Sequence, residues 1–253
     1  MASGDALKIA FFVILFLALV IAIYGHYTAP PPPPPPPPQP QLVTNQPAGL
    51  AYNGPGTTAL AGYYCIESIN SNNGYSIQLN ALLSNGLWIQ NTYGTVSTST
   101  SLTNFVTNVW TNKTLLHAGA TQYISAPCAW MVITINDGTV YFGYSLDGEG
   151  IVWYDSYPVG NAVFVSSKQT GITLAGYGHG AQAVLGNGTT LVYLALYYWN
   201  GTSWEPAPVS PSGYLTAESV NNAYVFTSGT CGGVVSWPNP VNETICPVPG
   251  FKP

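Results

Sequence analysis

The stretch GYSIQLNALLSNGLWIQNTYG, residues Gly74 to Gly94, decides how the chain is read. Two runs rich in Ile, Leu, Trp and Tyr flank Asn85-Gly86, a dipeptide that tolerates the positive φ of a tight hairpin. A two-residue turn there sets Ser84 opposite Leu87, Leu82 opposite Ile89, Asn80 opposite Asn91 and Gln78 opposite Tyr93. Opposed residues share a face. One face then carries Ser76, Gln78, Asn80, Asn91 and Tyr93; the other carries Ile77, Leu79, Ala81, Leu83, Trp88 and Gln90. On this register Gln78 lies on a polar surface and Gln90 is a buried amide among apolar neighbours. A shift of one residue reverses that assignment.

The pattern continues beyond the hairpin. WMVITI and TVYFGYSL flank Asn136-Asp137-Gly138, IVWYDSYPV follows Gly148-Glu149-Gly150, and AVFVSS, GITLAGY, LVYLALYYW and NAYVFTS come after. These runs are β-branched and aromatic, are separated by turn residues, and show no long helical periodicity. About a dozen strands over residues 61–253 fit one all-β, antiparallel two-sheet β-sandwich of the jelly-roll or concanavalin-like kind.

Composition narrows the function classes. The 253 residues are 47% hydrophobic and only 5% charged, with nine acidic and four basic side chains and no arginine. Nucleic-acid and phosphate recognition draw on Arg and Lys, so neither is expected. A surface with few titratable groups changes little in charge as pH falls, which suits an acidic exterior.

The N-terminus reads as a membrane anchor. Residues Ile9 to Tyr24 are an unbroken apolar run, extended on both sides towards the roughly 20 residues of a span. A cleaved signal peptide begins similarly, but the small-residue site Thr28-Ala29 runs straight into proline. Lys8 is the sole basic residue nearby, which places residues 1–8 in the cytosol, a transmembrane helix over 9–29 and the remainder outside the cell. Nine consecutive prolines, Pro30 to Pro38, form a polyproline II rod within a stalk or linker spanning residues 30–60.

An outside location gives the cysteines and sequons a meaning. Cys65, Cys128, Cys231 and Cys246 contain no CxxC, and the three histidines are scattered, so no metal and no cofactor are expected. Two disulfides are expected instead, Cys65 with Cys128 and Cys231 with Cys246, although three pairings satisfy the sequence. Asn112, Asn187, Asn200 and Asn242 each begin an N-glycosylation sequon, so N-linked glycans are expected partners.

Several catalytic patterns are absent: there is no GxSxG, no HExxH, no Walker loop, and no Asp-Thr-Gly or Asp-Ser-Gly. GYGHG, Gly176 to Gly180, lacks a neighbouring cation and reads as a strand connection. Asp137, Asp147 and Glu149 belong to turns. Asp155 alternates with aromatics and is a candidate groove residue, and Glu218, preceded by Thr216, lies in a short segment that suits one helical turn.

Four blocks resemble thermopsins, secreted archaeal peptidases active in hot acid, and occur in their order: YSIQLNALLSNGLWIQN, GYSLDGEGIVWYDSYPV, LAGYGHGAQ and LYYWNGTSWEPAP…GYLTAESVNNAYV. The likeness runs from about Tyr63 to Val225 and implies a β-sandwich acid endopeptidase. More distantly, the chain is similar to the fungal glutamic peptidases, which carry a strand glutamine before an Asn-Gly hairpin and a later Ala-Glu-Trp segment. Carried over, Gln78 stabilises the oxyanion and Glu218 is the general base, with Ser219 standing where that family has tryptophan. Asn80, Tyr93, Asp155, Tyr193, Tyr197 and Trp199 are then candidates to line the cleft for a peptide or protein substrate. An opening Gly-Ile-Ala-Asp-Tyr-Gly segment and an Asp-x-Glu before the glycine loop are missing. A non-catalytic surface, envelope or glycan-binding module therefore stands as the alternative.

Overall fold

The computed structural model describes residues 14–17, 19–21, 40–43, 45–95, 102–213, 217–238 and 248–252. The chain divides into two compact units, Met1–Pro37 and Pro38–Pro253. In the first, residues 14–17 and 19–21 are helical. Among the described residues no helix is long and apolar enough to cross a membrane, which corrects the expected N-terminal transmembrane anchor. The single-pass surface location deduced from that anchor is withdrawn with it. The other residues of the expected span, and the proline run, lie outside the described residues.

The second unit is an all-β sandwich. Its nine-stranded sheet runs in the order β1 (Gln41–Val43), β17 (Ala223–Ser228), β18 (Cys231–Ser236), β13 (Leu191–Trp199), β3 (Ala59–Ser68), β8 (Cys128–Asn136), β9 (Thr139–Ser145), β10 (Val152–Pro158), with β14 (Trp204–Pro206) also on β13. Its seven-stranded sheet runs β15 (Val209–Gly213), β2 (Ala48–Tyr52), β11 (Ser167–Gly176), β4 (Tyr75–Leu82), β5 (Trp88–Thr95), β6 (Asn104–Thr111), β7 (Thr114–Tyr123). Every pairing in these two sheets is antiparallel; β12 (Gln182–Val184) and β16 (Ser219–Asn221) form a separate parallel pair. β1 and β2 lie inside the stretch read as linker, and all of β2 is buried. Glu218 leads directly into a strand, while residues 214–216, part of the segment read as a helical turn, lie outside the described residues.

The β4–β5 hairpin closes differently from the two-residue expectation. Leu83 N–H donates to Leu87 O at 2.8 Å, so three residues, Ser84, Asn85 and Gly86, make the turn. A two-residue type I′ turn needs positive φ at both central residues, whereas here only Gly86 has it, at 86°. Asn85 instead ties down the loop, donating to Val159 O at 2.8 Å and accepting from Leu87 N. At Asp137-Gly138 both residues have positive φ, and Asn136 pairs with Thr139 as a two-residue turn requires. The extra loop residue shifts the β4–β5 register by one, pairing Gln78 with Thr92, Asn80 with Gln90 and Ile77 with Tyr93.

Because the strand period is two, that shift turns β5 over. Asn91 and Tyr93 face the core, while Trp88, Gln90 and Thr92 join Gln78 on the outer face. Tyr93 lies between Tyr64 and Phe105, each ring centroid 4.9 Å away, and its hydroxyl accepts from Ala126 N at 3.0 Å. Asn91 reaches across to the nine-stranded sheet, donating to Val132 O at 3.2 Å and Gly143 O at 2.9 Å and accepting from Tyr154 Oη at 2.6 Å. Aliphatic side chains from both inner faces, including Leu79, Ile89, Met131, Ile133, Ile172 and Leu194, fill the rest.

Two further contacts close the unit. At the sheet edges Asp155 of β10 accepts from Thr107 of the bulged β6 strand and lies 2.9 Å from His117 Nε2 of β7. A Cβ at Gly119 would overlap both Asp155 and Thr107, so only glycine leaves that seat open. On the outer face of the nine-stranded sheet, Phe251 stacks on Trp130 at 4.5 Å and meets Trp204 edge-on at 5.0 Å. Cys65 and Cys128, paired across β3 and β8, form a disulfide. Cys231 is disulfide-bonded, and Cys246 lies outside the described residues, as does Asn242. Asn112, Asn187 and Asn200 are exposed in turns.

Two predictions concern this core. Asn91→Leu should destabilise the fold by about 3 kcal/mol, since it strips two carbonyls and a phenol of their shared partner; urea unfolding measures this. Burial, aided by Tyr198, pushes Tyr52 up to about 12, and burial, aided by Tyr93, does the same to Tyr75. Burial also holds Tyr64 and Tyr154 well above the ordinary value. The neutral phenols therefore stabilise the fold fully below the unfolded value of about 10. That stability is lost as pH rises from there through the folded values, so these four phenols should ionise together with unfolding, as a cooperative late step in the alkaline tyrosinate absorbance.

Candidate functional site

The outer face of the seven-stranded sheet carries a chain of uncharged side chains. Trp110 of β6 pairs with Trp88 and leans back along the sheet so that its Nε1–H donates to Gln90 Oε1 at 2.8 Å. Gln90 Nε2 donates to Gln78 Oε1 at 3.3 Å. Gln78 Nε2 donates to Ser76 Oγ at 2.9 Å, and Ser76 Oγ donates to Gly176 O at 2.7 Å. The direction of this relay is forced, because an indole N–H can only donate and a carbonyl can only accept. Asn80 adds a branch, its Nδ2 donating to Gln78 Oε1 at 3.0 Å.

This leaves a defined remainder. Gln78 Oε1 accepts two hydrogen bonds, so the unused capacity of that amide is its second Nε2 hydrogen. Asn80 is wholly buried, and its Oδ1 has no hydrogen-bond partner. Flipping the Asn80 amide would set oxygen against oxygen at Gln78. One donor and one acceptor thus stand two residues apart on one strand, unpaired within the relay.

Side chains roof this face. Trp88 crosses β4 to donate its Nε1–H to Gln169 O of β11 at 3.0 Å. Tyr177, just after β11, spans β4 and β5 to donate to Asn104 Oδ1 of β6 at 2.9 Å. Gly94 makes room for it, since a Cβ there would lie 2.8 Å from Tyr177 Cδ2. His179 stacks on Trp110 with centroids 6.2 Å apart, and Gly178 and Gly180 on either side have positive φ. GYGHG, read as a plain connection, is therefore a strap over the amides.

Carboxylates are placed mostly elsewhere. Glu67, Asp137, Asp147, Glu149, Asp155 and Glu205 all lie on strands or turns of the nine-stranded sheet. Asp147 is held below its ordinary value, first by Glu149 N–H and then by the Ser145 hydroxyl, as befits a turn residue. Glu218 is partly buried, and the next residue, Ser219, donates its N–H to Ala181 O at 3.0 Å. Gly176, the relay's terminal acceptor, abuts Ala181 so closely that a Cβ on it would overlap the Ala181 carbonyl.

Of the expected cleft residues, Asn80 alone is brought to Gln78. Tyr93 lies in the core, and Asp155 at the closed sheet edge. Tyr193, Tyr197 and Trp199 lie on the outer face of the other sheet, against Phe226, Trp130 and Trp204 respectively. Gln90, Trp88, Trp110 and Tyr177 join the site without having been singled out. The signal for Trp110 was the alternation in NFVTNVW, residues 104–110, which becomes β6. No group of three or more His, Cys, Asp or Glu able to hold a metal ion occurs among the described residues.

No protein-family profile matches the chain, and no curated protein sequence matches it. Among solved structures it is similar to scytalido-glutamic peptidase with a transition state analog inhibitor, at 10% identity over 78% of this chain and 100% of that one, TM-score 0.45. Scytalido-glutamic peptidase with a peptide based transition state analog gives 11% identity over the same shares, TM-score 0.40. The CBM2 module of Lactobacillus casei BL23 phage J-1 evolved Dit gives 15% over 46% and 56%, TM-score 0.29. At these values no residue role is carried over from them. The thermopsin resemblance is shown by none of these comparisons.

The relay predicts its own weak point. Gln90→Leu should cost about 2 kcal/mol, by leaving the Trp110 N–H without its acceptor and removing one donor from Gln78. A chemical-denaturation curve gives the magnitude, and a change in Trp fluorescence of the folded protein should accompany it.

Proposed function

We propose that the amide face binds an extended peptide and that the chain hydrolyses peptide bonds there in acid, with Gln78 donating to the developing oxyanion and Glu218 activating water. The single observation that carries the reading is the pair left over by the relay, a Gln78 donor and an Asn80 acceptor on alternate residues of one strand. Such positions stand roughly 6.7 Å apart, the repeat of groups along one side of an extended chain. An amide donor fixed in place before the reaction supplies oxyanion stabilisation without reorganising and without a charge to titrate. Glu218 supports the catalytic half through its neighbour Ser219, which bonds Ala181 O beside Gly176, the relay's terminal acceptor. Peptide hydrolysis further needs its carboxylate, through one water, within reach of the carbonyl held by Gln78.

A second reading has its own support. The cross-strand neighbours of Gln78 are Thr92 and Thr173, neither of them an acid or base. A face built this way suits recognition of an uncharged polymer without chemistry.

One assay separates the two. Full-length protein is incubated with denatured protein substrate at about pH 3, beside Glu218→Gln and Gln78→Ala. The hydrolase reading expects cleavage by the wild type, loss of about a hundredfold or more in Glu218→Gln, and a comparable loss in Gln78→Ala. Peptide binding without cleavage by the wild type establishes the second reading. Equal cleavage by wild type and Glu218→Gln removes Glu218 from the mechanism.

A further inference from the structure

We infer that Asn80 selects a secondary amide in the bound chain, and that Trp110 acts as a positioning residue that sets this selectivity from a distance through Gln90. The inference rests on the amide face being the peptide-binding face. It adds which hydrogen-bonding pattern the peptide must present, and what fixes that pattern.

The Asn80 Oδ1 is an acceptor, buried and without a partner. Leaving such an atom unpaired is costly, so its complement is a group that carries a hydrogen. The available hydrogen of Gln78 asks the opposite of the ligand, an acceptor. A chain of secondary amides offers both, an N–H and a C=O on the same side. A proline or N-alkylated residue opposite Asn80 offers no hydrogen and leaves the oxygen orphaned. Sites built around a buried hydrogen bond reject such analogues far more strongly than a matching apolar pocket would.

The pattern is held from the far end of the relay. Trp110 Nε1–H fixes Gln90 Oε1, which turns Gln90 Nε2 towards Gln78 Oε1. That orientation makes the Gln78 oxygen an acceptor for Asn80 Nδ2 and so aims Asn80 Oδ1 away. Without the indole donor the Gln90 amide can turn over and present its oxygen to Gln78. Gln78 turns with it once the Ser76 hydroxyl swings from Gly176 O to donate to Gln78 Oε1 instead, Asn80 follows, and the donor and acceptor exchange places. Trp110 touches no substrate in this scheme; it acts through two amides.

The test is a methyl scan of a defined probe, terminally blocked hexa-alanine, with one backbone nitrogen methylated at a time. Binding to the full-length wild type is measured by calorimetry. The expected result is one position at which methylation weakens binding by about tenfold or more, with smaller effects elsewhere. In Trp110→Phe, shown by circular dichroism to be folded, the penalty at that position should shrink to about threefold or less, whatever happens to overall affinity. A merely structural role for Trp110 would lower affinity for every probe equally and keep the positional penalty, which overturns the assignment to Trp110. If the parent peptide binds with a flat scan, a bound water satisfies Asn80 and the selectivity falls while the binding face stands. If the parent does not bind, both fall.

Discussion

The hydrogen bond from Leu83 N–H to Leu87 O sets the parity of the whole seven-stranded sheet. It admits three residues to the turn, and Gly86 at φ 86° is the one that makes three residues fit. A strand has only two faces, so the parity of this loop decides whether β5 sends Gln90 or Asn91 into the core. With three residues Asn91 goes in, where two carbonyls of the opposite sheet and the Tyr154 hydroxyl receive it. Gln90 goes out, to join Gln78. With two residues both amides would change environment, and a satisfied inter-sheet bridge would become an unsatisfied one.

Amides rather than charges link the layers of this protein. A chain that is 5% charged has few ion pairs to use, and the one found among the described residues, His117 with Asp155, sits at the closed edge of the sandwich. Buried polar groups must be paired wherever they occur. Asn91 meets that demand inside, and Gln78, Gln90 and Ser76 meet it outside by bonding one another in sequence. Asn80 Oδ1 is where the outer chain stops short. Its isolation follows from the obligate direction of the indole at one end and the carbonyl at the other.

Much of the fold was legible, because alternation and turn dipeptides report directly on strand identity. The all-β sandwich and the hairpin at Asp137-Gly138 follow from such local signals, whereas the Cys65–Cys128 bridge, one of three pairings open to the sequence, is set by the register of β3 against β8. The register at Asn85-Gly86 did not, because the same dipeptide serves a two-residue turn and the end of a three-residue one, and only the φ of Asn85 distinguishes them. That one ambiguity misplaced Tyr93 and separated Gln90 from Gln78. Tyr193, Tyr197 and Trp199 were misjudged for another reason: alternation shows which residues share a face, but not which sheet that face belongs to. The apolar N-terminal run shows the limit of composition, since hydropathy alone does not establish a spanning helix.

The absence of charge along the relay has a consequence for chemistry. Indole, carboxamide, hydroxyl and peptide carbonyl do not titrate in acid or near neutrality, so the donor and acceptor that the face presents are the same throughout that range. Any change of activity with pH there must come from a group at its margin. His179, stacked on Trp110 in the strap, and Glu218, beside the Ala181–Ser219 contact, are the titratable candidates in acid. A histidine gains charge as pH falls and a carboxylate loses it, so the two margins respond with opposite changes of charge state. Neutral replacement of one or the other therefore identifies which margin is at work: the strap that covers the amides or the segment that carries Glu218.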